Sequence, residues 1–338
     1  MTGVLLHRRG IILTAILVIL VAAAVNYLRP LPAVAAQFTE NGSRSGSAAH
    51  ITWPAQAQSA VGVVGGGVLA ASPGQHTRPI ASVTKVMTAL VVLAAKPMQA
   101  NGDGATLPPV TEAQYKSYQQ EQAQGQSVVA IQVGEQLTEL QALQGMLIPS
   151  GNDIAELLAD WAYGSVGATV TKMNEKAARL GMSDSNFADV SGISSETVST
   201  PQDLVLLGEA AMSNQVIAGV VSMPNVDLPV AGMVYSVNYI LGEDGIIGIK
   251  TGSDPQAGAC YLVAVGTDVD GEDETIVGAT MGLPTIQEAL QDGEDLMDAV
   301  RPLLTIRQIV HKGQLLGLYH APWGATTQIV ALSDLSAP

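Results

Sequence analysis

Pro79-Ile80-Ala81-Ser82-Val83-Thr84-Lys85-Val86-Met87-Thr88-Ala89-Leu90 opens an apolar run that continues to Ala95. Ser82 precedes Lys85 by three residues, nearly one helical turn, so a helix brings both to one face. Pro79 cannot lie inside that helix and Pro97 stands just past its other end, which brackets the run. A hydroxyl beside an amine at a helix N-terminus is a possible nucleophile–base pair. Read alone, the same stretch is equally a buried aliphatic core helix.

Working outward, the 338 residues, 47% of them hydrophobic and 13% charged, suffice for one large core, alone or with a small appendage. Two phenylalanines against many Ala, Val, Leu and Gly point to a core of small aliphatic side chains. The formal net charge is −15, and such a surface repels phosphate backbones, which argues against nucleic acid as a partner. Cys260 is the single cysteine, so there is no internal disulfide framework. It lies in Ala259-Cys260-Tyr261-Leu262-Val263-Ala264, which reads as a strand with a buried, inert thiol. The five histidines fall in no recognisable motif, which leaves a cysteine–histidine hydrolase without support. Asp268, Asp270, Glu272, Asp273 and Glu274 resemble a calcium loop only superficially and read as solvated acids at a hairpin tip. Neither a metal nor a cofactor is expected.

Arg8-Arg9 followed by the apolar run Ile11 to Val25 has the form of an export signal, with Ala33-Val34-Ala35 as a cleavage site. The stretch to Leu28 also approaches a membrane-spanning length, so an uncleaved anchor is the alternative, oriented with the arginines inside. Either way the chain is expected outside the cytoplasm. Residues 1–36 therefore form a signal peptide or anchor, and 37–55, rich in Gly and Ser, a flexible linker. Residues 56–304 form the main domain and 305–338 a short β-rich extension.

Within the main domain, Ala60 to Val64 and Val68 to Ala71 read as a hairpin around Gly65-Gly66-Gly67. Lys96 to Gln126 reads mostly as loop and Val128 to Val133 as a short strand. Thr138-Glu139-Leu140-Gln141 caps a helix stopped by Pro149, and Ser150-Gly151-Asn152 comes immediately before the next helix. Further helices are expected over 168–180, after Thr200-Pro201, and after Thr285. Ile246 to Gly252 reads as a strand ending in Lys250-Thr251-Gly252, with Ala259 to Val265 and Thr275 to Met281 as a hairpin pair. Strands at both ends with helices between imply an α/β (α+β) domain whose sheet is assembled from distant segments.

Three short motifs thus stand in order: Ser82-x-x-Lys85, Ser150-Gly-Asn152 and Lys250-Thr251-Gly252. Each is weak alone, yet only one of the seven lysines has a serine three residues before it. Two of the motifs fall at a helix start and a strand end, the contexts the chemistry needs.

Together with Ala257-Gly258-Ala259-Cys260, residues 186–193 and residues 198–204, the set resembles the low-molecular-mass penicillin-binding D-alanyl-D-alanine carboxypeptidases. The resemblance runs from about Ala60 to Leu304. It implies a mainly antiparallel sheet flanked by helices, with a helical insert, as in β-lactamases and transpeptidases. It also implies a substrate, the peptidoglycan stem peptide ending in D-Ala-D-Ala, and acylation by β-lactam antibiotics. Ser82 would be the nucleophile, Lys85 its base and Ser150 the proton relay to the leaving amine. Asn152 would hold Lys85 and the substrate amide, while Lys250 and Thr251 bind the terminal carboxylate. Gly252 would leave room for substrate along the strand edge, and the backbone N–H groups of Ser82 and Ser253 would form the oxyanion hole. Two positions depart from many relatives: Ser253 replaces a bulky residue, and Gln287 stands where an arginine is common. A class A β-lactamase is the competing reading, but no Glu-x-x-Leu-Asn follows Asn152. A catalytically silent cell-wall binding protein is the other.

Overall fold

The computed structural model describes residues 16–21, 23–24, 37–38, 51–305, 307–320 and 326–337. It divides into two compact units, residues 46–307 with 337–338, and residues 1–45 with 308–336.

The larger unit is built on a sheet of five strands: β1 (Gln58–Val63), β2 (Gly67–Ala71), β5 (Ile246–Asp254), β6 (Gly258–Val269) and β7 (Glu272–Leu283). Their spatial order is β2-β1-β7-β6-β5, and every neighbouring pair is antiparallel. β3 (Asn225–Leu228) and β4 (Gly232–Tyr235) form a separate hairpin. β1, the first strand of this sheet in sequence, therefore pairs with β7, its last, as the distant placing of strand signals implied.

The sheet is buried on both faces, which explains why its strands read as nearly continuous apolar runs. In β6, Cys260, Leu262 and Ala264 enter one core, while Tyr261, Val263 and Val265 enter the other. The first core holds α1 (Thr84–Ala95), α3 (Glu139–Leu147), α4 (Asn152–Tyr163), α5 (Val166–Leu180) and α6 (Pro201–Met212). The second is closed by α8 (Ile286–Val300). α1 is buried all round from Thr84 to Leu93, which is why it is apolar on every face apart from Thr84, Lys85 and Thr88. Each large aliphatic side chain placed there contributes about 1.5–3 kcal/mol. The expected caps form: Thr138 with Gln141 makes a capping box, Thr200 caps α6 with Pro201 in its first turn, and Thr285 caps α8.

Two expectations fail. Residues 112–123, inside the presumed loop, form α2 (Glu112–Ala123), started by a Thr111–Gln114 capping box. Its composition is almost wholly polar, so no apolar periodicity marks it, and the cap was its one legible sign. Residues 128–133 do not form a strand. Their neighbour is the start of α4 rather than another strand: Asn152 N donates to Ser127 O at 2.8 Å and Val129 N to Asp153 Oδ1 at 3.0 Å. The reading also missed α7 (Gln215–Val221) and the β3–β4 hairpin.

In the stretch read as a linker, Ile51 and Trp53 pack against the second core of the larger unit. In the smaller unit, Gln37–Phe38 pairs with Leu315–His320, which pairs in turn with Thr326–Val330, all antiparallel. Residues 16–21 are helical; the rest of the presumed signal falls almost entirely outside the described residues.

Candidate active site

Ser82 is the middle residue of a single 3₁₀ turn, Ala81–Val83, that runs directly into α1. The turn is shaped by close packing. Ala81 is held at φ +45°, in the left-handed region that costs an L-residue about 1–2 kcal/mol. Thr84 Oγ1 donates to the Ala81 carbonyl at 2.7 Å. Gly192 lies so near that any Cβ there would collide with that carbonyl. From the other side, a Cβ on Gly252 of β5 would lie 2.8 Å from Ser82 N and 2.8 Å from Ile80 O. Gly252 is thus required for the strand edge to approach the serine turn, a more direct reason than room for substrate.

Lys85 is fully buried, and its Nζ makes three hydrogen bonds. It lies 2.8 Å from Ser82 Oγ, 2.6 Å from Asn152 Oδ1 and 2.9 Å from Ser191 O. As an ammonium it fills all three acceptors. As a free amine it keeps two N–H groups for the two partners that can only accept, Asn152 Oδ1 and Ser191 O. Its lone pair is then left for the hydroxyl of Ser82. Burial, and after it the charge of Lys250, push the Lys85 pKa well below that of an ordinary lysine, against the opposing pull of Asp189, Asp153 and Glu121.

Asn152 is the first residue of α4, and its Nδ2 donates to Gln126 Oε1 at 2.8 Å. Ser150, two residues earlier, is buried at φ +72°, and its hydroxyl has no hydrogen-bond partner among the described residues. Lys250 and Thr251 are buried in the middle of β5, which runs on to Asp254, with Lys250 Nζ donating to Thr251 O at 2.9 Å. Burial lowers the Lys250 pKa to about 7. Ser253 is exposed. The structure therefore brings Ser82, Lys85 and Asn152 into direct contact, sets Gly252 against the serine turn, and places Lys250 within electrostatic reach of Lys85. Cys260 pairs with Gly252 in the sheet and is buried, its thiol pushed up to about 11 by burial, which suits the inert role expected.

The sequence reading gave no role to Asp189 or to the Ser191 carbonyl. Asp189 Oδ2 accepts from Ser191 N, Ser191 Oγ, Gly192 N and Ile193 N, at 3.1, 2.9, 2.6 and 2.9 Å, and Oδ1 accepts from Thr197 Oγ1 at 2.5 Å. An aspartate two residues before Ser-Gly is an Asx-turn signal that would have marked it.

An antiparallel sheet flanked by helices, with a hydroxyl and a buried amine paired beside its edge strand, defines the penicillin-recognising serine hydrolase class. The model of D-alanyl-D-alanine carboxypeptidases, peptidase family S11, matches residues 45–283. The chain belongs to that family. It is 30% identical over 239 residues to a D-alanyl-D-alanine carboxypeptidase of Streptomyces sp. strain K15, covering 65% of this chain and 78% of that protein. It is 31% identical to the carboxypeptidase DacB2 of Mycobacterium tuberculosis, over 68% of this chain and 76% of the relative. The crystal structure of the Streptomyces K15 DD-transpeptidase superposes with a TM-score of 0.64 at 29% identity, covering 74% of this chain and 98% of that one. Penicillin-binding protein 5 of Haemophilus influenzae shares the fold, with a TM-score of 0.71 at 19% identity over 85% of this chain and 84% of that one.

Proposed function

We propose that this serine-type D-Ala-D-Ala carboxypeptidase acts through an acyl-enzyme on Ser82, removing the terminal D-alanine of peptidoglycan stem peptides outside the cytoplasm. The observation that carries the reading is the set of partners around Lys85 Nζ: one hydroxyl and two obligate acceptors.

Lys85, as a free amine, takes the Ser82 proton while Oγ attacks the carbonyl between the two D-alanines. An unperturbed lysine is neutral about once in a few thousand at pH 7, a cost of about 4–5 kcal/mol. Burial and Lys250 reduce that cost. The oxyanion lies between the Ser82 and Ser253 N–H groups, and Ser150 carries the proton to the leaving amine. The terminal D-alanine leaves as the amine, water then attacks the ester, the carbonyl of the remaining penultimate D-alanine is freed as a carboxylate, and Ser82 regains its proton. Lys250 and Thr251 bind the terminal carboxylate. A β-lactam enters the same step with its amide, leaving a stable acyl-enzyme. The leader segment, cleaved or retained as an anchor, delivers the domain to the envelope.

Incubation with a labelled penicillin, and separately with a peptide ending in D-Ala-D-Ala, tests this. Wild type is expected to retain label and release D-alanine, and Ser82→Ala to do neither. Absence of both from the wild type overturns the reading, and rapid penicillin turnover replaces it with a lactamase.

A further inference from the structure

The amide of Asn152 has an acceptor at one end and two donors at the other, and either end could be turned toward Lys85 without a change of shape. Its Oδ1 faces Lys85 Nζ at 2.6 Å. In that orientation the free amine gives its N–H groups to Asn152 Oδ1 and Ser191 O and keeps its lone pair for the Ser82 hydroxyl. Turned round, Nδ2 would compete with Ser82 for that lone pair. A charged Lys85 orients Asn152 by itself, because an ammonium can only donate. The free amine both donates and accepts, so in the reactive state the orientation has to be fixed from elsewhere.

Gln126 stands at the other end of that amide. Its Oε1 accepts from Asn152 Nδ2 at 2.8 Å, and its own Nε2 donates to Gln124 Oε1 at 2.9 Å. The relay therefore has one direction, Lys85 to Asn152 to Gln126 to Gln124, and ends on an exposed side chain. The backbone holds the half-buried Gln126 in place. Gly125, at φ +73°, turns the chain just after α2, and Gln126 N donates to Glu121 O at 3.1 Å. Asn152 N donates to Ser127 O at 2.8 Å and Val129 N to Asp153 Oδ1 at 3.0 Å, so residues 126–129 are laced onto the first turn of α4. Gly151 permits that approach, since a Cβ there would lie 2.8 Å from Val129 Cγ2.

We propose that Gln126 is a positioning residue for the acylation step: it locks the Asn152 amide with its oxygen toward Lys85, so that the neutral amine keeps its lone pair for Ser82. The inference deepens the carboxypeptidase reading above and rests on it. Gln126 touches neither Ser82 nor Lys85 and acts only through Asn152, from 26 residues away. Its contribution is greatest where Lys85 has lost its proton and no longer dictates which end of the amide it meets.

The test compares Gln126→Met, which keeps the shape and loses the acceptor, with Gln126→Glu, which can only accept. Both are made in the full chain, with thermal melting as the check on folding, and penicillin acylation is followed against pH. For Gln126→Met the plateau rate at high pH is expected to fall about fivefold or more, the worth of one hydrogen bond. Its acid limb is expected to move to lower pH, because a turned amide favours the neutral lysine. For Gln126→Glu the plateau is expected to stay within about twofold. Its acid limb is expected to move to higher pH, because the added carboxylate favours the charged lysine. The other charges acting on Lys85, those of Lys250, Asp189, Asp153 and Glu121, are the same in both variants. A Gln126→Met plateau equal to wild type, or a Gln126→Glu plateau as low as that of Gln126→Met, overturns the proposal. So does a slower Gln126→Met with an unmoved limb, which would reduce Gln126 to a structural loop residue. Neutron diffraction from the unmodified protein, at a pH where Lys85 is a free amine, reads the lock without a variant and even if Ser82 proves inert to penicillin. Deuterium on the Asn152 atom facing Gln126 supports the proposal, and deuterium on the Asn152 atom facing Lys85 overturns it.

Discussion

The main-chain carbonyl of Ser191 accepts a 2.9 Å hydrogen bond from Lys85 Nζ, across 106 residues of sequence, and that carbonyl is aimed by a carboxylate. Asp189 gathers the N–H groups of Ser191, Gly192 and Ile193 on one oxygen, which closes the turn and presents the Ser191 oxygen to the lysine. The same turn brings Gly192 against Ala81, so the aspartate supports both halves of the Ser82–Lys85 pair. It acts through other groups and is a positioning residue.

Asp189→Asn keeps one acceptor and removes the charge. Asp189 is partly buried, and loss of its charged acceptor costs about 1–3 kcal/mol of stability. The charge of Asp189 raises the Lys85 pKa, so its removal lets the lysine lose its proton more easily. The acid limb of penicillin acylation against pH is therefore expected to move to lower pH, while the maximal rate falls through looser aim. A variant that loses only thermal stability, with an unmoved limb, would reduce Asp189 to a structural turn residue.

Lys250 acts on Lys85 with the opposite sign. Its positive charge depresses the Lys85 pKa, and Lys250→Gln removes that depression. The acid limb of acylation is expected to move to higher pH, opposite to Asp189→Asn. On the proposed role of Lys250, KM for a peptide with a free terminal carboxylate should rise as well, since the cation that would pair with that carboxylate is gone. Stopped-flow acylation of the two variants side by side reads both shifts, and parallel movement in the same direction would sink the argument.

A pH profile of the unmodified protein gives a third check. Lys250 titrates at about 7 in the free protein. Below that value it carries the charge that the proposed carboxylate binding requires, and above it the charge is lost. kcat/KM for a D-Ala-D-Ala peptide is therefore expected to decline above about pH 7. An analogue whose terminal carboxylate is amidated should lack that decline. Identical alkaline limbs for the two substrates would assign the limb to another group.

The sheet and most helices were legible because their signals are local, whereas β5, β6 and β7 run on past the ends read for them, to Asp254, to Val269 and from Glu272. Apolar runs ended by turn residues placed β1, β5, β6 and β7, and Thr138, Thr200 and Thr285 announced their helices by capping. The spacing of Ser82 and Lys85 was legible, but it took on meaning only beside Ser150-Gly-Asn152 and Lys250-Thr251-Gly252. What the spacing could not give was the wall around Lys85. Asn152 and Ser191 reach it from 67 and 106 residues away, and the Ser191 contribution is a backbone oxygen, which no side-chain motif encodes. α2 escaped because its polar face is nearly the whole helix, and residues 128–133 looked like a strand because apolar alternation does not say what will pair with the backbone.

Asp153 supplies a stability test. Its side chain is buried behind Asn152, Oδ1 accepts from Val129 N at 3.0 Å, and Oδ2 has no partner among the described residues. Glu121, Glu156 and Asp160 line the same small cavity. Burial, with Glu121 adding repulsion against the pull of the Val129 hydrogen bond, raises the Asp153 pKa from 3.8 to about 7. The folded state thus holds this proton over a range where the unfolded chain has lost it. Stability must fall as pH rises from about 4 to about 7, by up to about 4 kcal/mol from this group alone. Asp153→Asn keeps the acceptor for Val129 and cannot ionise. Its melting temperature should match the wild type near pH 4 and exceed it increasingly up to pH 7, with a constant gap above. A gap that does not change between pH 4 and pH 7 would mean that Asp153 is ionised in the folded protein throughout.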